Sequence, residues 1–360
     1  MSTITWGMLQ KSLVDNETIE QAIVRLVTEH NNDETAHLGV GQSLQSHKAS
    51  EVIDHLAKSI LAEKLHTSAE VFECVVAPVG GDYTSIQDAI DSGKKRIFVK
   101  AGTYIIDSPI TIRGSNYLIQ GENKCDTVIR LADGVNDSVI KIDGSEDPPI
   151  ADITIRNLWI NGNKTKQTSG HGIYIICAYT VKIEDCCVSS CKESGIYLVD
   201  SSKCSIIFNY ITSCNINGIY MAMDESDCQY NSIFNNSIAS NLSNQIYIQS
   251  GHFNNILSNY IQGFSTPGNN GLKLGSHHSI VVANQIINHA ADGIVIDGNN
   301  NVVYGNKCWS CKRYGIYVSS GASDNMVRLN YLLGNSSGGM YDGGTNTRKA
   351  ASTTNDNIIS

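Results

Sequence analysis

The chain reads as an all-β solenoid, and three observations predict it. Seven segments open with nearly the same words: GIYI at Gly172, GIYL at Gly195, GIYM at Gly218, QIYI at Gln245, GLKL at Gly271, GIVI at Gly293 and GIYV at Gly315, with GMYD following at Gly339. Their intervals of 23, 23, 27, 26, 22, 22 and 24 residues are too regular for chance and too loose for a coiled coil. A period in this range, built from short alternating strands and Asn/Gly/Ser turns, belongs to stacked coils that bury one another. Composition agrees: charged residues are 17%, below the usual quarter, while glycine numbers 31 of 360 residues.

Residues 1 to about 72 carry no such repeat and read as a helical attachment or oligomerisation segment. Ile19, Ile23 and Leu26 fall at helical steps between Glu17 and His30, and Ala49, Ile53, Leu56 and Ile60 do so between Ser46 and Leu65. These short heptad-like seams suit a small bundle or an oligomeric stalk. Continuing the first seam brings His30, Asp33 and His37 to one face, either a shared metal or anion site on an oligomer axis or a solvated helix end.

Residues 73–360 form the solenoid, with 73–170 as N-terminal cap and first coils and 171–360 as regular coils of 22–27 residues. In GGDYTSIQDAIDSG, Ile86, Ala89 and Ile90 share one face of a short helix, which would cover the first coil. Strands follow in RIFVKAGTYII, SPITI, NYLIQGE and TVIRL. Beyond Gly172, Ile173, Ile196, Ile219, Ile246, Leu272, Ile294 and Ile316 point inward, joined two residues later by Ile175, Leu198, Met221, Ile248, Leu274, Ile296 and Val318. A second column, Asn209, Asn236, Asn259, Asn284, Asn306 and Asn330, precedes an apolar residue by two. It is expected at a strand-to-strand bend, where asparagine satisfies turn backbone and tolerates left-handed dihedrals.

The net charge of −9, with no basic stripe, argues against nucleic acid. The start after Met1 lacks a basic-then-apolar leader, and no apolar run approaches ~18 residues, so neither a signal peptide nor membrane insertion is expected. Of the 11 cysteines, Cys191 and Cys214 lie 19 residues after Gly172 and Gly195 and Cys311 lies 18 after Gly293, and the three are expected to stack as a buried thiol column. A zinc site at Cys186, Cys187 and Cys191, or at Cys308 with Cys311, is the alternative reading; paired spacing is not repeated. No metal or other cofactor is assigned.

The stretches GGDYTSIQDAI, IFVKAGTY, NYLIQGE and NLWINGNKTKQTSGHGIYI resemble the pectate-lyase superfamily of right-handed, single-stranded parallel β-helices, many of them phage tail-spike or surface-polysaccharide proteins. The resemblance covers about 80–360. It implies a tail-spike-like protein that binds, and depolymerises in one reading, a host surface polysaccharide. It also implies a homotrimer held in a virion or cell-surface assembly, with residues 1–72 meeting a baseplate or tail protein. Alternatives within the same fold are a structural scaffold without catalysis and a polysaccharide lyase or epimerase. Gly170-His171-Gly172 is similar to the glycine-histidine-glycine of polygalacturonases, which makes His171 a catalytic candidate; the Asn-Thr-Asp, Asp-Asp and Arg-Ile-Lys partners of that motif are absent, as is the Asp-Pro-His-Glu of alginate epimerases.

The outward position of the opening strand reads Tyr174, Tyr197, Tyr220, Tyr247, Lys273, Val295 and Tyr317. Tyrosines spaced by about 4.8 Å match the length of a pyranose, whose apolar face stacks on aromatic rings while phenols bond its rim. The same line serves equally as a contact between chains or as a brace for the sheet. Asp200 and Asp224, with Glu225 and Asp227 beside it, end two successive strands. Acids one coil apart lie within about 5–10 Å, the separation of a glycosidase pair, against the alternative of solvated turn aspartates. Asp292 with Asp297 is a second pair.

Overall fold

Three parallel sheets, one on each side of a right-handed coil, hold the strands of this chain. The computed structural model describes residues 72–146, 148–224, 228–263, 266–349 and 357–359. The expected helices before residue 72, the His30, Asp33 and His37 face, and Glu225 lie outside the described residues.

One coil shows the plan. Ile173–Ile176 lies on the first side, Ala178–Glu184 on the second and Cys187–Ser189 on the third. The next coil repeats it with Ile196–Val199, Ser205–Ile207 and Tyr210–Thr212. Each strand pairs in parallel with its equivalent one coil on, in register: Ile173 with Ile196, Ile183 with Ile206, Val188 with Ile211. The sheets contain 10, 11 and 11 strands among the described residues. Alternation sends every second side chain inward, so Ile175, Leu198, Met221, Ile248, Leu274, Ile296 and Val318 are all fully buried. Each contributes about 1.5–3 kcal/mol by leaving water.

The glycine that opens each repeat has a steric cause. A Cβ on Gly172 would lie 2.5 Å from the carbonyl oxygen of Gly195 and 2.5 Å from Val188 Cγ1. Gln245 occupies this place in one coil and turns inward: its amide donates to Asn241 O at 3.0 Å and accepts from Asn241 Nδ2 at 2.8 Å.

The asparagine column is a buried amide ladder. The Oδ1 of Asn236 accepts from the backbone N–H of Asn209 at 2.9 Å and from its Nδ2 at 3.0 Å, while Asn209 Nδ2 also donates to Ile183 O at 2.9 Å. The pattern continues through Asn259, Asn284, Asn306 and Asn330 to Asn357. Left-handed backbone belongs to the residue before each asparagine, not to the asparagine itself: Phe208, Asn235, Ser258, Ala283, Gly305 and Leu329 have φ between 51° and 63°. The expected turn role holds, but the strained dihedral sits one residue earlier, freeing the amide to point inward. A second ladder, Asn231, Asn254, Ser279, Asn301 and Asn325, runs along another corner.

Cys191 and Cys214 stack as expected, both fully buried. The column then changes composition: Asn241 follows Cys214, and His289 precedes Cys311. Alternation places Cys186 inside and leaves Cys187 half-buried on the outer side, so the adjacent pair cannot converge on one ion.

The cap forms where expected. Helix α1, Ile86–Asp91, buries Ile86, Ala89 and Ile90, and Ser85 Oγ accepts from Asp88 N at 3.2 Å. Gln87 then imitates a strand: its Oε1 accepts from Thr111 N at 2.7 Å and its Nε2 donates to Thr111 O at 3.3 Å. Thr111 lies on Ile110–Ile112, the terminal strand of the first-side sheet, so the side chain closes an edge that would otherwise template pairing.

Candidate functional site

The first side carries the tyrosines. Register places Lys141, Tyr174, Tyr197, Tyr220, Tyr247, Lys273, Val295, Tyr317 and Tyr341 in one outward column. Successive rings from Tyr174 to Tyr247 stack with centroids 5.4, 4.8 and 5.2 Å apart and planes within 26°, 5° and 17° of parallel. Tyr317 and Tyr341 repeat this at 4.8 Å and 11°. All but Tyr341 are half-buried. Both faces of Tyr197 and of Tyr220 are therefore covered by neighbours, and the surface receives ring edges and hydroxyls. Face-on stacking of a sugar, the mode expected from the sequence, is closed to these two residues.

Burial pushes the Tyr197 phenol up to about 12, helped by Tyr220 and Tyr174; burial, then Asp143, Cys177, Asp200 and Asp224, also raises Tyr174. These groups are neutral phenols at physiological pH, able to give and accept hydrogen bonds but not to act as bases. The lower part of the column is cationic in places. Lys273 Nζ lies 5.2 Å from the Tyr247 ring centroid and 3.5 Å from Asp297, and Arg313 lies 5.3 Å from that of Tyr317. Tyr220 donates to Gln249, and Ser319 donates to Asp297.

His171 lies beside the top of the ladder, its ring 4.7 Å from Tyr197 and 5.8 Å from Tyr174. Nδ1 accepts from Ser194 N at 3.1 Å, and Nε2 lies 3.3 Å from Glu193 Oε2. Burial lowers its pKa, against the opposing pull of Glu193, which leaves a neutral ring with its proton on Nε2. Both nitrogens are engaged, so this imidazole fixes the turn and closes the end of the ladder.

Asp200 is buried, at 6% exposure, with φ of 48°, and its Oδ1 accepts from Asp224 N at 2.8 Å. Its carboxylate caps the turn of the following coil. Asp224 itself is exposed. The pairing of these two residues one coil apart is thus real, but it joins a side chain to a backbone amide. Asp292 accepts from Tyr314 N at 2.9 Å and faces Arg313 at 3.6 Å. Asp297 lies beyond the far end of strand Ile294–Ile296, accepts from Ser319 and faces Lys273 at 3.5 Å, so the two carboxylates engage separate partners.

Sequence reasoning missed Glu193, Gln249, Arg313 and Asp143 as neighbours of the column. Each stands one or two positions outside the repeated tetrapeptide, where no repeat marks it. For Glu193 and Arg313, both two residues before an opening glycine, that shared offset is the signal that would have found them.

Residues 92–271, half of the chain, match the family model described as periplasmic copper-binding protein (NosD), and residues 225–360 match that described as right handed beta helix region. The chain belongs to the NosD family of right-handed β-helix proteins. Among curated proteins, none matches the sequence. Among solved structures, the ORF18 protein of Geobacillus virus E2 is similar at TM-score 0.67 and 17% identity, over 85% of this chain and 63% of that one. The A-module of mannuronan C-5 epimerase AlgE4 from Azotobacter vinelandii follows at 0.61 and 17%, over 74% and 77%. Full-length tailspike protein 2 from Escherichia coli O157:H7 bacteriophage CAB120 matches at 0.56 and 12%, over 74% and 38%. The shared feature is the right-handed parallel β-helix fold, and this NosD-family chain spans 63% of the viral protein's length.

Copper, named in the family description, was tested against the chain's own donors. Among the described residues no group of three or more His, Cys, Asp or Glu is placed to hold a metal ion. Burial raises Cys186, Cys204 and Cys311 to about 12 and Cys187 to about 11, so these remain thiols. The described residues do not fit a copper site.

Proposed function

We propose that this chain is a tail-spike-like protein that binds a host-cell surface polysaccharide along the first side of its β-helix. The observation that carries the proposal is the ladder Tyr174–Tyr197–Tyr220–Tyr247, four phenols repeating at 4.8–5.4 Å on a parallel sheet. A bracing role needs only the rings. The row of hydroxyls, with Gln249, Lys273 and Asp297 alongside, supplies polar groups at the repeat of a sugar chain. Similar folds in a tailspike protein and a mannuronan epimerase support the reading. Lys273 and Tyr317 extend the binding line.

Binding without cleavage is favoured, because Asp200 and His171 are committed to turn hydrogen bonds. A depolymerase would draw on Asp224 and Glu225, with Asp200 as partner. Incubation with a panel of bacterial surface polysaccharides, followed by size exclusion and absorbance in the unsaturated-uronate band, tests this. Shortening that Asp200→Asn/Asp224→Asn abolishes would establish the enzyme; bound but unshortened polymer supports binding alone.

We further propose a homotrimer in a virion-associated assembly, with residues 1–72 as its attachment segment. The corner between the second and third sides exposes Phe208 (45%), Tyr304 (41%) and Leu329 (50%), an apolar edge for packing against two further copies that leaves the tyrosine side open. Light scattering of the whole chain, with Phe208→Ser/Leu329→Ser as the disrupting variant, tests it.

A further inference from the structure

The charges around the ladder indicate what kind of glycan it takes; this inference rests on the binding function proposed above. Cations bordering the column are already matched. Arg113 lies 3.4 Å from Asp143, Lys141 2.8 Å from Asp137, Lys273 3.5 Å from Asp297 and Arg313 3.6 Å from Asp292. The stretch from Tyr174 to Tyr220 then carries three more carboxylates. Glu193 stands beside His171, which burial keeps neutral, and Asp200 and Asp224 close the strand ends. The phenols register this field: Asp143, Asp200 and Asp224 all push Tyr174 upward, and Asp224 does so at Tyr197. Around half-buried rings such fields are screened less than in open solvent, and the net charge of −9 adds to them at long range.

We propose that the segment of glycan lying over Tyr174, Tyr197 and Tyr220 carries no anionic group, and that the site prefers a protonated amino sugar to a neutral one and a neutral one to a uronate, phosphate or sulfate. Phenol hydroxyls and carboxylates both accept hydrogen bonds from sugar hydroxyls and ammonium groups, whereas an anionic substituent there finds carboxylates that oppose it. The lower part of the column, at Lys273 and Arg313, is where a sparse negative substituent is tolerated.

The test uses the whole chain and three hexasaccharide probes of matched length: glucosamine, N-acetylglucosamine and mannuronate, measured by calorimetry at ~20 mM and ~500 mM salt. Binding is expected in that order of affinity, with steps of about threefold or more at low salt that shrink at high salt. Asp224→Asn, an exposed change that leaves the fold intact, together with Glu193→Gln should narrow the difference between glucosamine and mannuronate by about threefold or more. Mannuronate binding as tightly as, or more tightly than, N-acetylglucosamine at low salt would overturn the charge inference while leaving the glycan-binding function standing. Failure of all three, and of neutral surface polysaccharides, to bind would overturn both.

Discussion

The rings of Tyr197 and Tyr220 lie 4.8 Å apart and 5° from parallel, one coil above the other. The strand spacing sets that distance, and the near-parallel planes bring the ring faces together. The pair separates two roles. Tyr197→Phe keeps the stack and removes one hydroxyl: stability should stay within about 0.5 kcal/mol while glycan affinity falls several-fold. Tyr197→Ala removes the ring as well and should cost about 1–2 kcal/mol of stability. Chemical denaturation beside glycan titration distinguishes them, and an unchanged affinity in Tyr197→Phe would assign the tyrosine to bracing alone.

The lowered acidity of the buried phenol gives a spectroscopic signature. Tyrosinate absorbance should show one group titrating near 12, missing in Tyr197→Phe. A wild-type curve with all tyrosines near 10 would contradict the half-buried ladder.

The Asn259 side chain joins four residues, Leu257 among them, whose carbonyl oxygen accepts from Nδ2 at 3.1 Å. It accepts from both nitrogens of Asn236 at 2.9 and 3.0 Å and donates to Ile233 O at 2.9 Å and Asn284 Oδ1 at 2.9 Å. Asn259→Ala strands buried donors and acceptors above and below, and should destabilise by about 2–4 kcal/mol. Thermal unfolding measures this; a loss under about 1 kcal/mol would mean water replaces the amide.

His289 makes stability depend on pH. Burial holds its pKa down, from 6.5 to about 4, with Nδ1 2.9 Å from Asn269 Oδ1. As pH falls below about 6.5 the unfolded chain binds the proton first. Stability is therefore complete above that pH and declines toward pH 4, by about 3 kcal/mol from this residue. His289→Asn, which copies the asparagine used elsewhere in the same column, should flatten that part of the stability–pH curve. An unaltered slope would remove the histidine as its cause.

Asp200 combines a left-handed backbone with a buried carboxylate. Asp200→Asn keeps the acceptor and tolerates the dihedral, so stability should hold within about 1 kcal/mol, whereas Asp200→Ala should lose about 2 kcal/mol. Equal unfolding midpoints for the two variants would refute the capping role.

The coil was legible in the sequence because every repeat restates it. Ile173 and Ile196 bury the same atoms against the same neighbours, and Gly172 and Gly195 answer the same steric constraint. The candidate site was legible only in part. Alternation placed Tyr197 and Tyr220 in one outward column, but not the rotation that turns their faces toward each other. Asp200 carried no mark of burial, since aspartate ending a strand is ordinary in a solvated turn. His171 looked catalytic from its glycine neighbours, while the groups that occupy its nitrogens, Ser194 N and Glu193, come from the next coil and depend on register rather than local pattern.

The most direct test of the account is the affinity of the whole chain for bacterial surface polysaccharides, compared with Tyr197→Ala/Tyr220→Ala. The account predicts binding to at least one polymer by the wild type and at least tenfold weaker binding by a variant that remains folded. Equal binding by the two proteins, or none by the wild type across the panel, would contradict it.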